Sequence, residues 1–94
     1  MTEPFENVSH PEEREKTYRC PCCGYRTLHG RVGYEICSVC FWEDDGQDSH
    51  DADRVRGGPN GVLSLTVARK NFKAFGACEK RAVANVRKPL PDEL

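Results

Sequence analysis

Cys20-Pro21-Cys22-Cys23 and Cys37-Ser38-Val39-Cys40 each set two thiols three residues apart. That spacing lets both sulfurs of one tight turn face a single ion, and two such turns complete a tetrahedron. Thirteen residues, 24 to 36, separate the pairs, enough for the chain to leave the first turn, reverse and return to the second. Pro21 fixes one backbone angle of the first turn, and Gly24 supplies the positive φ such a turn needs after its second thiolate. Four thiolates leave no position for water or substrate, so Cys20, Cys23, Cys37 and Cys40 predict a closed, structural site rather than a catalytic one. One structural Zn2+ is the expected occupant. Iron in the same sulfur set would instead make a rubredoxin-like redox protein, and the ligands alone do not separate the two.

The other reactive groups assemble less. Cys20-Pro21-Cys22-Cys23 contains the Cys-Pro-x-Cys pattern of thiol-disulfide oxidoreductases, but that chemistry needs a helix N-terminus to activate the first thiolate. Gly24 follows directly, and Tyr25 to Leu28 favours a strand. Cys22 is expected to turn away from the ion as a packed or surface thiol; its sharper alternative is a ligand exchanged for Cys23 under oxidation. Cys78 reads as a small buried residue. His10, His29 and His50 complete no local site. Glu43, Asp44, Asp45, Asp48, Asp51 and Asp53 put six acids into eleven residues. They read as an exposed acidic face rather than a cation loop, because the EF-hand glycine and terminal glutamate are missing. Trp42 beside them is expected as a lid on the metal hairpin or an interface anchor. No nucleophile, base and orienter can be assembled, so the chain reads as non-enzymatic.

The elements that must position the cysteines follow from pattern. A chain of 94 residues, 37% hydrophobic and 31% charged, has room for one lean domain that needs a staple. Tyr25 to Leu28 and Gly33 to Ile36 read as two strands around His29-Gly30-Arg31, a hairpin carrying the two knuckles. Residues 43–61 are polar and turn-forming, a long acidic surface loop. Ser64 is a plausible N-cap for an amphipathic helix with Leu65, Ala68, Phe72 and Phe75 on one face, ended by Gly76. These side chains are expected to pack on Tyr25, Ile36 and Trp42. A weaker helical stretch runs over 79–86, with Ala82, Val83 and Val86 as its apolar stripe. The fold class is thus small α+β: a zinc-ribbon-like β-hairpin, a long acidic loop, one amphipathic C-terminal helix and a second short one. Residues 1–17 read as a flexible acidic arm, 18–90 as the single zinc-binding domain and 91–94 as a tail.

Charge and hydropathy narrow the partners. The formal net charge of −1 gives no global attraction to nucleic acid or anionic membrane. Residues 69–88 hold seven cations against the single Glu79, which keeps a nucleic-acid-binding zinc ribbon as an alternative. The interleaved aromatic and basic strand used to stack bases is missing. Residues 1–16 are acidic and nowhere continuously apolar, and no run reaches the ~20 residues needed to span a bilayer. A reducing cytoplasm is the expected compartment, where paired cysteines hold metal more often than each other. A protein partner of unknown identity is the expected interaction.

Four segments carry a resemblance: Cys20-Pro-Cys-Cys-Gly-Tyr, Tyr34-Glu-Ile-Cys-Ser-Val-Cys-Phe-Trp-Glu-Asp-Asp-Gly-Gln, Gly57-Gly-Pro-Asn-Gly, and Ser64 to Cys78. With these in order the chain resembles the bacterial CPCC cysteine-rich domain family over about residues 18–90. The resemblance implies a small metal-binding domain of uncharacterised biochemical role and supplies no active site. Ser38 stands where proline is expected in the second knuckle, which loosens a turn without removing a ligand.

Overall fold

The computed structural model describes residues 17–94, so the arm expected over 1–17 lies, apart from Thr17, outside the described residues. Each Cys-x-x-Cys turn closes on its own flanks. In the first, the Cys20 N–H donates to the Tyr25 carbonyl at 2.9 Å and the Gly24 N–H to the Cys20 carbonyl at 2.8 Å. Tyr18 and Leu28 then exchange backbone bonds of 2.8 and 3.2 Å. The second knuckle repeats this: Cys37 N–H to the Trp42 carbonyl at 2.9 Å, Phe41 N–H to the Cys37 carbonyl at 2.8 Å, and Ile36 bridged to Glu43.

This local closure corrects the hairpin expectation. The described residues form isolated bridges (Tyr18 with Leu28, Ile36 with Glu43, Val55 with Ser64) and no β-hairpin or sheet. Residues 25–28 and 33–36 do not pair with each other because each has partners beside its own knuckle. Between them the backbone turns left-handed at Val32 (φ 63°) and Tyr34 (φ 60°), which breaks an extended run. The cysteines are thus gathered by one helix and locally closed turns, and the described residues do not confirm a zinc-ribbon fold.

Helix α1, Leu65–Phe75, forms as its sequence dictates. The Ser64 hydroxyl accepts from the Val67 N–H at 3.1 Å, and Gly76 closes the helix at φ 87° while its N–H donates to the Phe72 carbonyl. Leu65 and Ala68 are fully buried, whereas Phe72 and Phe75 are half-buried. Phe72 meets Tyr25 edge-on with centroids 6.3 Å apart. Ile36 does not join this core and is 45% exposed; Trp42 does, at 0%. The weaker stretch over 79–86 is a 3-10 segment, Lys80–Asn85, burying Ala82 and exposing Val83. With one small residue to bury, it lacks the apolar stripe that would sustain an α-helix.

The acidic loop departs most from expectation. Asp44, Asp45 and Gln47 are buried, and the segment folds around their side chains through short 3-10 turns at Ser49–Asp51 and Gly58–Asn60. Asn60 mimics a strand: its Oδ1 accepts from the Glu43 N–H at 3.2 Å and its Nδ2 donates to the Glu43 carbonyl at 2.8 Å. Gln47 donates to the carbonyls of Asp51 and Arg54 at 2.9 and 2.7 Å. Residues 91–94, read as a tail, are tied to the body. Glu93 accepts from the Arg26 N–H at 2.7 Å through its carbonyl, and its carboxylate receives both amino groups of Arg87 at 2.8 and 2.9 Å.

Candidate metal centre

The sulfurs of Cys20, Cys23, Cys37 and Cys40 all lie within 4.8 Å of one another. Cys20 and Cys40 are 3.6 Å apart, and Cys23 and Cys37 3.7 Å. Four sulfurs each at about 2.3 Å from one ion define a tetrahedron with edges of about 3.8 Å. These two separations match that edge, the remaining ones reach no more than 4.8 Å, and all are far from the ~2.0 Å of a disulfide. The donor set therefore fits a metal ion, and the residues expected from spacing are the ones brought together. Among the described residues no other group of three or more His, Cys, Asp or Glu could hold one.

The centre is part of the core. Cys20, Cys37 and Cys40 are at most 1% exposed and pack with Trp42, Leu28, Leu65, Val39 and Ala68; Cys23 is half-buried at the edge of the same cluster. Without an ion the four thiols crowd one another and cannot all ionise. Hydrogen bonding from the Cys20 thiol, then from Cys23 and Cys40, holds Cys37 far below the ordinary thiol range, and the Thr27 hydroxyl adds to it. Cys23 and Cys40 are driven the other way, each chiefly by Cys20. A cation at the centre replaces those shared protons, so binding releases them.

Donors outside the tetrahedron converge on one sulfur. The Thr27 hydroxyl lies 2.9 Å from Cys37 Sγ, and the N–H groups of Val39 and Cys40 donate to it at 3.4 Å each. Helix α1 braces both knuckles: Arg69 Nε donates to the Pro21 carbonyl at 2.8 Å, and Asn71 Nδ2 to the Cys78 carbonyl at 2.9 Å. The Cys78 N–H in turn donates to the Cys40 carbonyl at 2.7 Å.

Cys22 and Cys78 are buried, free and outside the tetrahedron. Burial pushes the Cys78 thiol up to about 12, in keeping with an inert core thiol. His29 and His50 are exposed beside Glu35 and Asp51, and His10 lies outside the described residues. The expected exposed acidic face is corrected by Asp44. Its Oδ2 accepts from Arg31 Nε at 2.9 Å and from the Val32 N–H at 2.7 Å, and its Oδ1 from the Gly46 N–H at 3.2 Å. Arg31 also reaches Asp48 at 3.0 Å. Sequence reasoning missed this organising carboxylate; the signal was the Asp44-Asp45-Gly46 turn sequence, in which the Gly46 N–H closes onto the Asp44 carboxylate and the positive φ of Gly46 (97°) redirects the chain beyond it.

The family model described as Cysteine-rich CPCC matches residues 18–93. No curated protein matches the chain. No solved structure matches it either.

Proposed function

The chain belongs to the cysteine-rich CPCC family, and from that premise we propose that it is a non-enzymatic, zinc-stapled protein-interaction module. The observation that carries the metal half is the closed set of four sulfurs within 4.8 Å of one another, two pairs of them at a tetrahedral edge and three of the four fully buried. A closed sulfur set suits zinc, and binding to such a site supplies on the order of 10 kcal/mol of folding free energy. That is comparable with the whole stability of a small domain, and here it joins two loops that share no sheet.

The interaction half rests on what the surface offers. Val32, Tyr34 and Ile36 are 55, 57 and 45% exposed on the segment linking the knuckles, and two of them sit on left-handed backbone held from beneath by Asp44. Apolar side chains presented on a braced segment suit recognition by a protein. The nucleic-acid alternative is weakened because three of the seven C-terminal cations are already engaged: Arg69 with Asp48, Arg81 with Glu79 and Arg87 with Glu93. Among the described residues no helix is long and apolar enough to cross a membrane. A cytoplasmic setting is proposed because six unpaired cysteines are suited to a reducing compartment.

Elemental analysis of the purified full chain tests the staple, with one zinc per chain expected. Iron, with visible sulfur-to-iron absorption, would replace this reading by the redox one. Co-purification from the source cells tests the module: Tyr34→Asp should lose a partner that wild type retains while keeping its metal and thermal stability. Salt-sensitive, sub-micromolar binding to DNA or RNA would favour the nucleic-acid alternative.

A further inference from the structure

The two knuckles are the same turn built twice, with Cys20, Cys23, Gly24 and Tyr25 matching Cys37, Cys40, Phe41 and Trp42 in backbone pairing. Both Gly24 (φ 83°) and Phe41 (φ 73°) occupy the left-handed region that follows the second thiolate. Their side chains differ completely. A Cβ built on Gly24 would meet nothing within 4 Å, and Gly24 is exposed. Phe41 packs its ring against the core cluster, at a position where a bulky residue in this conformation is strained. One knuckle is therefore open and its counterpart covered. The sulfurs follow suit: Cys23 is half-buried, whereas its counterpart Cys40 is 0% exposed.

Hydrogen bonding sharpens the difference. Cys37 receives the Thr27 hydroxyl and two backbone N–H groups, which lower the nucleophilicity of a thiolate by drawing on its lone pairs. Among the described residues, the Cys23 sulfur receives no hydroxyl or backbone N–H bond, its hydrogen-bond contacts being with the other sulfurs of the tetrad. The cation of Arg19 lies just outside, its Nη1 donating to the Gly24 carbonyl at 2.7 Å. A cavity bordered by Ile36, Ser38 and Phe41 also reaches Cys37, but that side chain remains wholly buried.

On the reading of these four cysteines as a metal centre, we infer that Cys23 is a modification site, the thiolate at which small soft electrophiles open the centre. With iodoacetamide as the probe, the Cys23 sulfur donates an electron pair to the methylene carbon, the carbon–iodine bond breaks and iodide leaves. The product is a neutral thioether, which no longer contributes an anionic ligand, so three thiolates remain to hold the ion.

The test is substoichiometric iodoacetamide on the zinc-loaded full chain near neutral pH, with each modified cysteine mapped by mass spectrometry and released zinc followed by a chromophoric chelator. Cys23 should be alkylated about tenfold faster than any other cysteine, with zinc release tracking its modification. Alkylation of Cys20, Cys37, Cys40 or Cys22 at a rate comparable with Cys23 would overturn the inference, as would modification of Cys23 without zinc release. A purified chain without bound metal would overturn the centre itself, an outcome read before any labelling begins. Phe41→Gly provides an independent arm by uncovering the second knuckle: its sulfurs should gain reactivity several-fold while Cys23 is unchanged. Unchanged labelling at Cys37 and Cys40 in that variant would overturn the assignment of Phe41 as their cover.

Discussion

Replacing Asp44 by alanine separates the two ways of reading the acidic segment. If residues 43–53 were a solvated face, the change would move stability by no more than about 0.5 kcal/mol. In the structure Asp44 is 0% exposed and accepts from Arg31, Val32 and Gly46. Removing one partner of a buried ion pair costs about 3 to 5 kcal/mol. The lower end applies, because the Arg31 side chain is 28% exposed and keeps Asp48 at 3.0 Å. The expected loss is therefore about 3 kcal/mol, and Asp44→Asn, which keeps the shape and one acceptor oxygen, should lose about half of that. For a domain of this size 3 kcal/mol corresponds to a fall in Tm of about 12 to 24 °C. Thermal unfolding at a fixed free zinc concentration measures it, since the ion itself shifts the midpoint. A fall of less than about 4 °C, under 1 kcal/mol, for Asp44→Ala would refute the argument that this carboxylate organises the loop.

The other expectations are more compact. Serine at Cys20, Cys23, Cys37 or Cys40 should abolish tight metal binding and stable folding, whereas Cys22→Ser and Cys78→Ser should retain the ion; elemental analysis of the six variants decides. Thr27→Val should weaken metal affinity by about tenfold through loss of the hydroxyl at Cys37, and equal affinity in a chelator competition would show that hydrogen bond to be idle. Phe72→Ala, edge-on to Tyr25 and half-buried, should cost about 2 kcal/mol, less than the ~3 to 5 expected for the fully buried Trp42→Ala; denaturant titration orders them, and the reverse order contradicts the packing. Acid should destabilise the fold. The Ser49 N–H and then Arg31 hold Asp48 below the usual carboxylate range, and Arg87 does the same for Glu93. With folded values depressed, their contribution is complete above the unfolded carboxylate values near ~4 and is lost as pH falls through the folded ones. Glu93→Gln should flatten that acid limb of a Tm-against-pH curve, and an identical limb would dismiss the Glu93 part.

The cysteine tetrad and α1 were legible because each rests on a short-range rule. Paired thiol spacing sets the knuckles, and a serine cap, a 3-4 apolar period and a terminal glycine set the helix. The hairpin was misread because strand pattern reports that a segment is extended and half-buried, without naming its partner. Residues 25–28 and 33–36 satisfied the pattern while pairing within their own knuckles. The acidic loop was misread for a different reason. Composition places aspartate outside, but the N–H groups of Val32 and Gly46 and the Arg31 side chain converge on Asp44, and that convergence is a tertiary property. The difference between the knuckles was visible as Gly24 against Phe41, yet its meaning depended on backbone angles that residue names do not carry.

The closure of each knuckle on its own flanks also governs how the centre is assembled. Such turns span about ten residues, a loop that closes in about 10 to 100 ns, so neither has to wait for the other. The 13-residue tether from 24 to 36 spans about 20 Å as a flexible chain. It therefore presents the second pair of thiolates at a millimolar effective concentration to an ion already held by the first. Capture thus becomes one bimolecular encounter followed by an intramolecular ring closure. Lengthening the tether would dilute the second pair and slow that closure without altering a single ligand.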